Sequence, residues 1–164
     1  MVSLYLGSAA FVLYLVYDIN SFTGQRKILR SCFFAGTCLL AAATGMDLWQ
    51  AWRSGGFSGI MDGCLLAGAA LCFAALIYSL FFALPFKETY ARQTDGRQVY
   101  RCGVYALCRH PGILCFFAVY LLMGLAALPN PMICNCLIFS VLNLAYAWFQ
   151  DQITFPRTFC DYDD

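Results

Sequence analysis

Charge is what this sequence has least of. Asp, Glu, Lys and Arg make up 12% of its 164 residues, against about a quarter in soluble domains. Histidine occurs once. The net charge of +1 gives no basic field to attract a polyanion, so no nucleic-acid partner is expected. Hydrophobic residues reach 62%. A domain this short buries only about 60–70% of its extended-chain surface, which excludes a soluble globule, and so apolar a chain is not disordered. No GxGxxG, phosphate-binding loop, HExxH or internal repeat occurs. What remains is an all-α integral membrane protein forming one domain over residues 1–164.

Apolar runs measured against a crossing of about 20 residues predict five helices, at residues 2–17, 32–52, 60–86, 112–128 and 132–149. Only Pro129-Asn130-Pro131 separates the last two, so they are expected to form an antiparallel hairpin. The first run lacks a positive n-region and a small-residue cleavage site, and is expected to be a retained helix. Lys and Arg sort by side. Arg26, Lys27 and Arg30 lie in the first loop, Lys87, Arg92, Arg97, Arg101 and Arg109 in the third, and Arg157 in the tail, leaving only Arg53 opposite. The positive side faces the cytoplasm, which puts the N-terminus outside and Trp49 and Trp52 at the outer interface. Small residues four apart, Ser3/Gly7, Ala41/Gly45 and Gly59/Gly63, are expected to be helix-packing faces. Cysteine is plentiful, but most of it lies in apolar runs, and Cys102, Cys108 and Cys160 lie on the cytoplasmic side, so a disulfide scaffold is not expected.

Polar chemistry gathers in the third loop, residues 87–111, with Tyr90, Tyr100, Tyr105 and the single His110. Pro111 suits the first turn of a helix, where its missing N–H costs nothing. That helix start, with the guanidinium of Arg109, favours an anion. Tyr100 and Tyr105 offer flat faces to an aromatic base or a cation. If helices four and five are a hairpin, Gln150, Asp151 and Gln152 come beside His110. On residues alone two readings stay open: a small-molecule pocket, or a basic loop that only sets topology. Cys102, Cys108 and His110 fit no zinc spacing, and one histidine cannot make a bis-histidine haem, so no metal is expected.

Gly103-Val104-Tyr105-Ala106 followed by Arg109-His110-Pro111 resembles the signature of the isoprenylcysteine carboxyl methyltransferases, grouped with the phospholipid N-methyltransferases. The resemblance runs from about Tyr90 to the C-terminus. It implies S-adenosylmethionine as cofactor, held on the cytoplasmic side, and a lipophilic methyl acceptor entering sideways from the lipid bilayer. Carried over by position, Tyr105, His110 and Pro111 match cofactor-pocket residues, Arg109 matches the motif arginine, and Tyr100 falls in the stretch just upstream. Asp151-Gln152 takes the place of an acidic pair. The tail pattern falls near Phe159-Cys160, with Asp161 and Tyr162 following. The chain departs from the pattern at Ile113, where a tyrosine is usual, at Ala147, where an arginine implicated in acceptor recognition is usual, and at Gln152 and Cys160. No catalytic residue is assigned. Two other classes remain: a non-catalytic membrane protein on the same scaffold, and a sterol-type reductase using a nicotinamide cofactor.

Overall fold

A computed structural model describes residues 1–24, 26–83, 103–108 and 110–158. Among these residues the chain is helical, without strands. Its helices are α1 (Val2–Phe22), α2 (Lys27–Arg53), α3 (Ile60–Ile77), α4 (Val104–Leu107), α5 (Pro111–Ala126), α6 (Met132–Phe149) and α7 (Phe155–Thr158). Two π-helical turns interrupt the regular repeat: Tyr78–Phe82 prolongs α3, and Gln150–Thr154 joins α6 to α7.

Four helical stretches are long and apolar enough to cross a membrane: Val2–Phe22, Lys27–Arg53, Ile60–Phe82 and Met132–Thr158. The remaining apolar helix, α5, has 16 residues and falls below that length. Helix α1 runs past Asp18 and Asn20 because both side chains find partners inside the protein. The Asn20 amide donates to the Arg26 carbonyl at 3.1 Å and its oxygen accepts from the Arg26 N–H at 2.9 Å, which closes the turn into α2. Helix α2 starts five residues before the expected Cys32, since exposed Lys27 and Arg30 extend it at no burial cost. Asp62 receives the Ser58 and Gly59 N–H groups at 3.1 and 2.8 Å and so opens α3.

The helices pack in the spatial order α2, α1, α6, α5, α3. The core lies where α1, α5 and α6 meet. The Phe139 ring is fully buried and edge-on to Tyr120 at 5.7 Å. Gly7 lies directly against that ring, where any Cβ would collide with it. A Cβ at Gly36 would reach 3.0 Å from the Ala10 carbonyl, so α1 and α2 touch backbone to backbone. Gly124 approaches Cys136 and Ile133 as closely, which brings α5 onto α6. Of the expected small-residue faces, Ser3/Gly7 packs inward, whereas Ala41/Gly45 and Gly59/Gly63 are exposed. Gly36, Leu40 and Ala43 form the packed face of α2 instead, because at 3.6 residues per turn Ala41 and Gly45 fall on nearly the opposite side of the helix.

Buried polar groups pin the end of the bundle formed by the start of α1, the end of α2 and the start of α6. The Asn135 amide donates to both Asp47 carboxyl oxygens, at 3.1 and 3.0 Å, and to Ser3 Oγ at 3.2 Å. Thr44 and Tyr120 share a 2.6 Å hydrogen bond between α2 and α5.

Candidate functional site

At the opposite end the chain gathers the ends of α1, α3 and α6 with the start of α5. Pro111 occupies the first turn of α5, as expected. The donors of that turn are mostly spent. Proline has none, and the N–H groups of Ile113 and Leu114 both go to the His110 carbonyl, at 3.2 and 3.3 Å. Gly112 packs on the π-helical turn after α3 at ordinary van der Waals distance. A Cβ there would lie 3.5 Å from Leu80 Cδ2 and from Ser79 Oγ. The helix start is therefore a weaker anion receptor than its sequence implies.

His110 and Asp151, 41 positions apart, meet with Nε2 and Oδ1 at 2.8 Å. Their side chains are 20% and 30% exposed, so the pair sits at the surface of the bundle and not in its core. Two local features aim these groups. Pro111 restrains the backbone of His110, the residue before it. The wide π-helical turn Gln150–Thr154 re-aims Asp151 away from the α6 repeat, as such bulges commonly do at functional sites. The Phe155 ring from α7 lies nearly parallel to the imidazole, with centroids 5.8 Å apart and planes at 13°. The buried Asn143 amide donates to the Ile113 carbonyl at 3.3 Å, locking the first turn of α5 to α6.

Tyr105 does not join the His110–Asp151 pair. Its hydroxyl donates to the Ser79 carbonyl at 2.9 Å, tying α4 to the π-helical turn after α3. Gly103 makes that possible. Its φ of 61° and ψ of −133° are open to glycine and strained for any side chain. Tyr100 and Arg109 lie outside the described residues, as do the tail positions Phe159, Cys160, Asp161 and Tyr162. The structure thus brings together His110, Pro111 and Asp151, with Tyr105 anchored alongside on the shared Ser79 turn. Ala147 is buried, Ile113 half-buried and Gln152 exposed.

Beside the pair, Gln150 has a partner on α1 that the sequence did not indicate. Gln150 donates to Asp18 at 2.9 Å and to the Tyr146 hydroxyl at 2.9 Å, joining α1 to the end of α6. Asp18 is 4% exposed and Asn20 equally buried. Their polarity at a helix end signals them only as span termini. Ser79 carried no signal because it sits in an apolar run, and Phe155 carried none because an isolated aromatic residue in the polar tail resembles any other. The Arg157 guanidinium lies 5.1 Å from the Phe22 ring centroid and ties α7 to α1. Thr154 Oγ1 is the one buried side-chain polar atom among the described residues without a hydrogen-bond partner.

Among the described residues the site brings together an imidazole, a carboxylate that is 30% exposed, and a flat aromatic ring. A carboxylate of this kind suits an amine or a ribose hydroxyl, and the aromatic face suits a sulfonium or an adenine ring. Among the described residues no cluster of three His, Cys, Asp or Glu side chains could hold a metal ion, and the described cysteines are free thiols. No protein-family model, curated protein or solved structure matches the chain.

Proposed function

We propose that the chain is an integral membrane methyltransferase that uses S-adenosylmethionine to methylate a lipophilic acceptor. In this reading it crosses the membrane five times, with α5 and α6 as an antiparallel hairpin, the N-terminus outside, and the His110 end on the cytoplasmic side. The observation that carries it is the 2.8 Å contact between His110 and Asp151. Two elements of a proposed cofactor motif, distant in sequence, meet beside the Pro111 helix start.

The donor set fits the cofactor. Asp151 would accept hydrogen bonds from its amino or ribose groups, Phe155 and Tyr105 would border its cationic and aromatic parts, and Arg109 would pair with its carboxylate. When bound, it supplies an electrophilic methyl group on sulfonium. The residues of this chain have then mainly to align an acceptor and exclude water, and alignment alone contributes about 7–11 kcal/mol. Lipid and the bound cofactor would together have to exclude water from charge that disperses in the transition state.

Calorimetric titration of the purified protein tests the reading. Saturable binding of S-adenosylmethionine and none of NADPH is expected. His110→Ala or Asp151→Ala breaks the pair, and each should weaken binding on the order of tenfold, the loss of one charge-assisted hydrogen bond. Wild-type protein that takes up NADPH but no S-adenosylmethionine would overturn the proposal in favour of a reductase. Unchanged affinity in both variants would refute the site.

A further inference from the structure

The His110–Asp151 contact is more than a tether between α5 and the end of α6. A tether needs only a hydrogen-bond donor, and many side chains supply one. An imidazole with a carboxylate at one nitrogen has a further capacity. The carboxylate holds the ring proton on the nitrogen that faces it and stabilises the imidazolium formed when the other nitrogen takes a proton. Here Asp151 Oδ1 faces Nε2, and Nδ1 has no hydrogen-bond partner among the described residues. Phe155 lies nearly parallel to the ring and Pro111 restrains the backbone, so the orientation is held from three directions. The ring keeps 20% exposure, which leaves a path for a reacting group.

An acceptor that is already a carboxylate gives up no proton when methylated, and beside it the pair would be idle. An acceptor with an N–H or O–H must give one up. We infer that His110 Nδ1 is the proton acceptor of the transfer, with Asp151 as its positioning residue, and that the acceptor class is an amine or a hydroxyl on a lipophilic chain. The inference rests on the methyltransferase reading. In the step, the acceptor's lone pair forms the new bond to the methyl carbon, and the electron pair of the broken carbon–sulfur bond stays on sulfur. The acceptor's proton passes to Nδ1, and Asp151 holds the resulting imidazolium.

Two measurements on the full chain in lipid nanodiscs test this. Because the protein has one histidine, ¹⁵N-histidine labelling yields a single pair of ring-nitrogen signals. The expected spectrum of the neutral ring shows Nε2 protonated and Nδ1 bare, and Asp151→Asn shifts both. A neutral ring in the wild type with its proton on Nδ1 and Nε2 bare overturns the inference without reference to any acceptor. Transfer of tritiated methyl from S-adenosylmethionine is then followed to three probes: phosphatidylethanolamine vesicles, a long-chain alkylphenol, and a farnesylated cysteine analogue with a free carboxylate. Label is expected on the amine or the phenol, and the two arms tell those sources apart. His110→Gln keeps a donor toward Asp151 but cannot take the proton. It should hold cofactor affinity within about threefold and lose on the order of 100-fold in turnover, the usual worth of a general base. Added imidazole should restore part of the turnover of His110→Ala. Label on the carboxylate probe alone, or full turnover in His110→Gln, overturns the inference and leaves the methyltransferase standing. Absence of S-adenosylmethionine binding by calorimetry overturns both.

Discussion

Gly103 shows how much can hang on one hydrogen atom. With φ at 61° and ψ at −133°, its backbone makes the turn that sets Tyr105 against Ser79. A methyl group at that position meets the steric limit on left-handed backbone, at a cost of about 1–3 kcal/mol. Gly103→Ala should therefore lower the thermal midpoint in detergent, and the loss should shrink when Tyr105→Phe has already removed the Ser79 contact. That non-additivity, measured in a double-mutant cycle, distinguishes a turn that positions Tyr105 from one that merely connects. His110 is read in the same way. Its role comes from what each ring nitrogen faces, not from the residue type.

At the level of elements, a few polar contacts specify which helices meet. Asn135 supplies the hydrogen bonds that Asp47 receives in a nearly water-free setting, and it joins α1, α2 and α6 through one amide. Asn135→Leu leaves the Asp47 carboxyl without its donor and should cost about 1–3 kcal/mol. Asp47→Leu combined with Asn135→Leu should cost less than Asn135→Leu alone, because no buried polar group is then stranded. Unfolding in mixed detergent micelles measures both. Much of this architecture is legible in the residues. The Met132–Phe149 helix is found at its expected bounds because prolines precede it and a polar cluster follows. Helices α1 and α2 outrun their apolar cores, since hydropathy registers Asp18 or Lys27 as a break while a helix continues wherever such side chains are solvated or bonded. Half of the site is equally legible. His110, Pro111 and Asp151 stand out by type and spacing. Ser79 and Phe155 do not, because neither a backbone carbonyl in an apolar run nor the stacking of a lone ring in a polar tail leaves a mark in the residue types. Nor do Asp18 and Gln150 declare that they face one another across 132 positions.

For the whole molecule, the separation of charge makes orientation testable. The basic residues other than Arg53 fall on one side of the proposed topology. In sealed, right-side-out vesicles, an epitope inserted beside exposed Ser58 should be cut by external protease while a C-terminal epitope is protected. The reverse pattern would turn the candidate site outward, away from a cytosolic cofactor. Under the proposed topology, the shortness of α5 would set the depth of the candidate site. Sixteen residues rise about 24 Å, about 6 Å less than the hydrocarbon thickness of a typical bilayer. In the proposed topology, with the Pro-Asn-Pro turn at the far surface, that shortfall would fall at the other end and His110 would lie beneath the headgroups of the surrounding leaflet. The proposed long-chain acceptor would then present its polar end without lifting its tails out of the lipid, and diffusion in two dimensions would deliver it from the side.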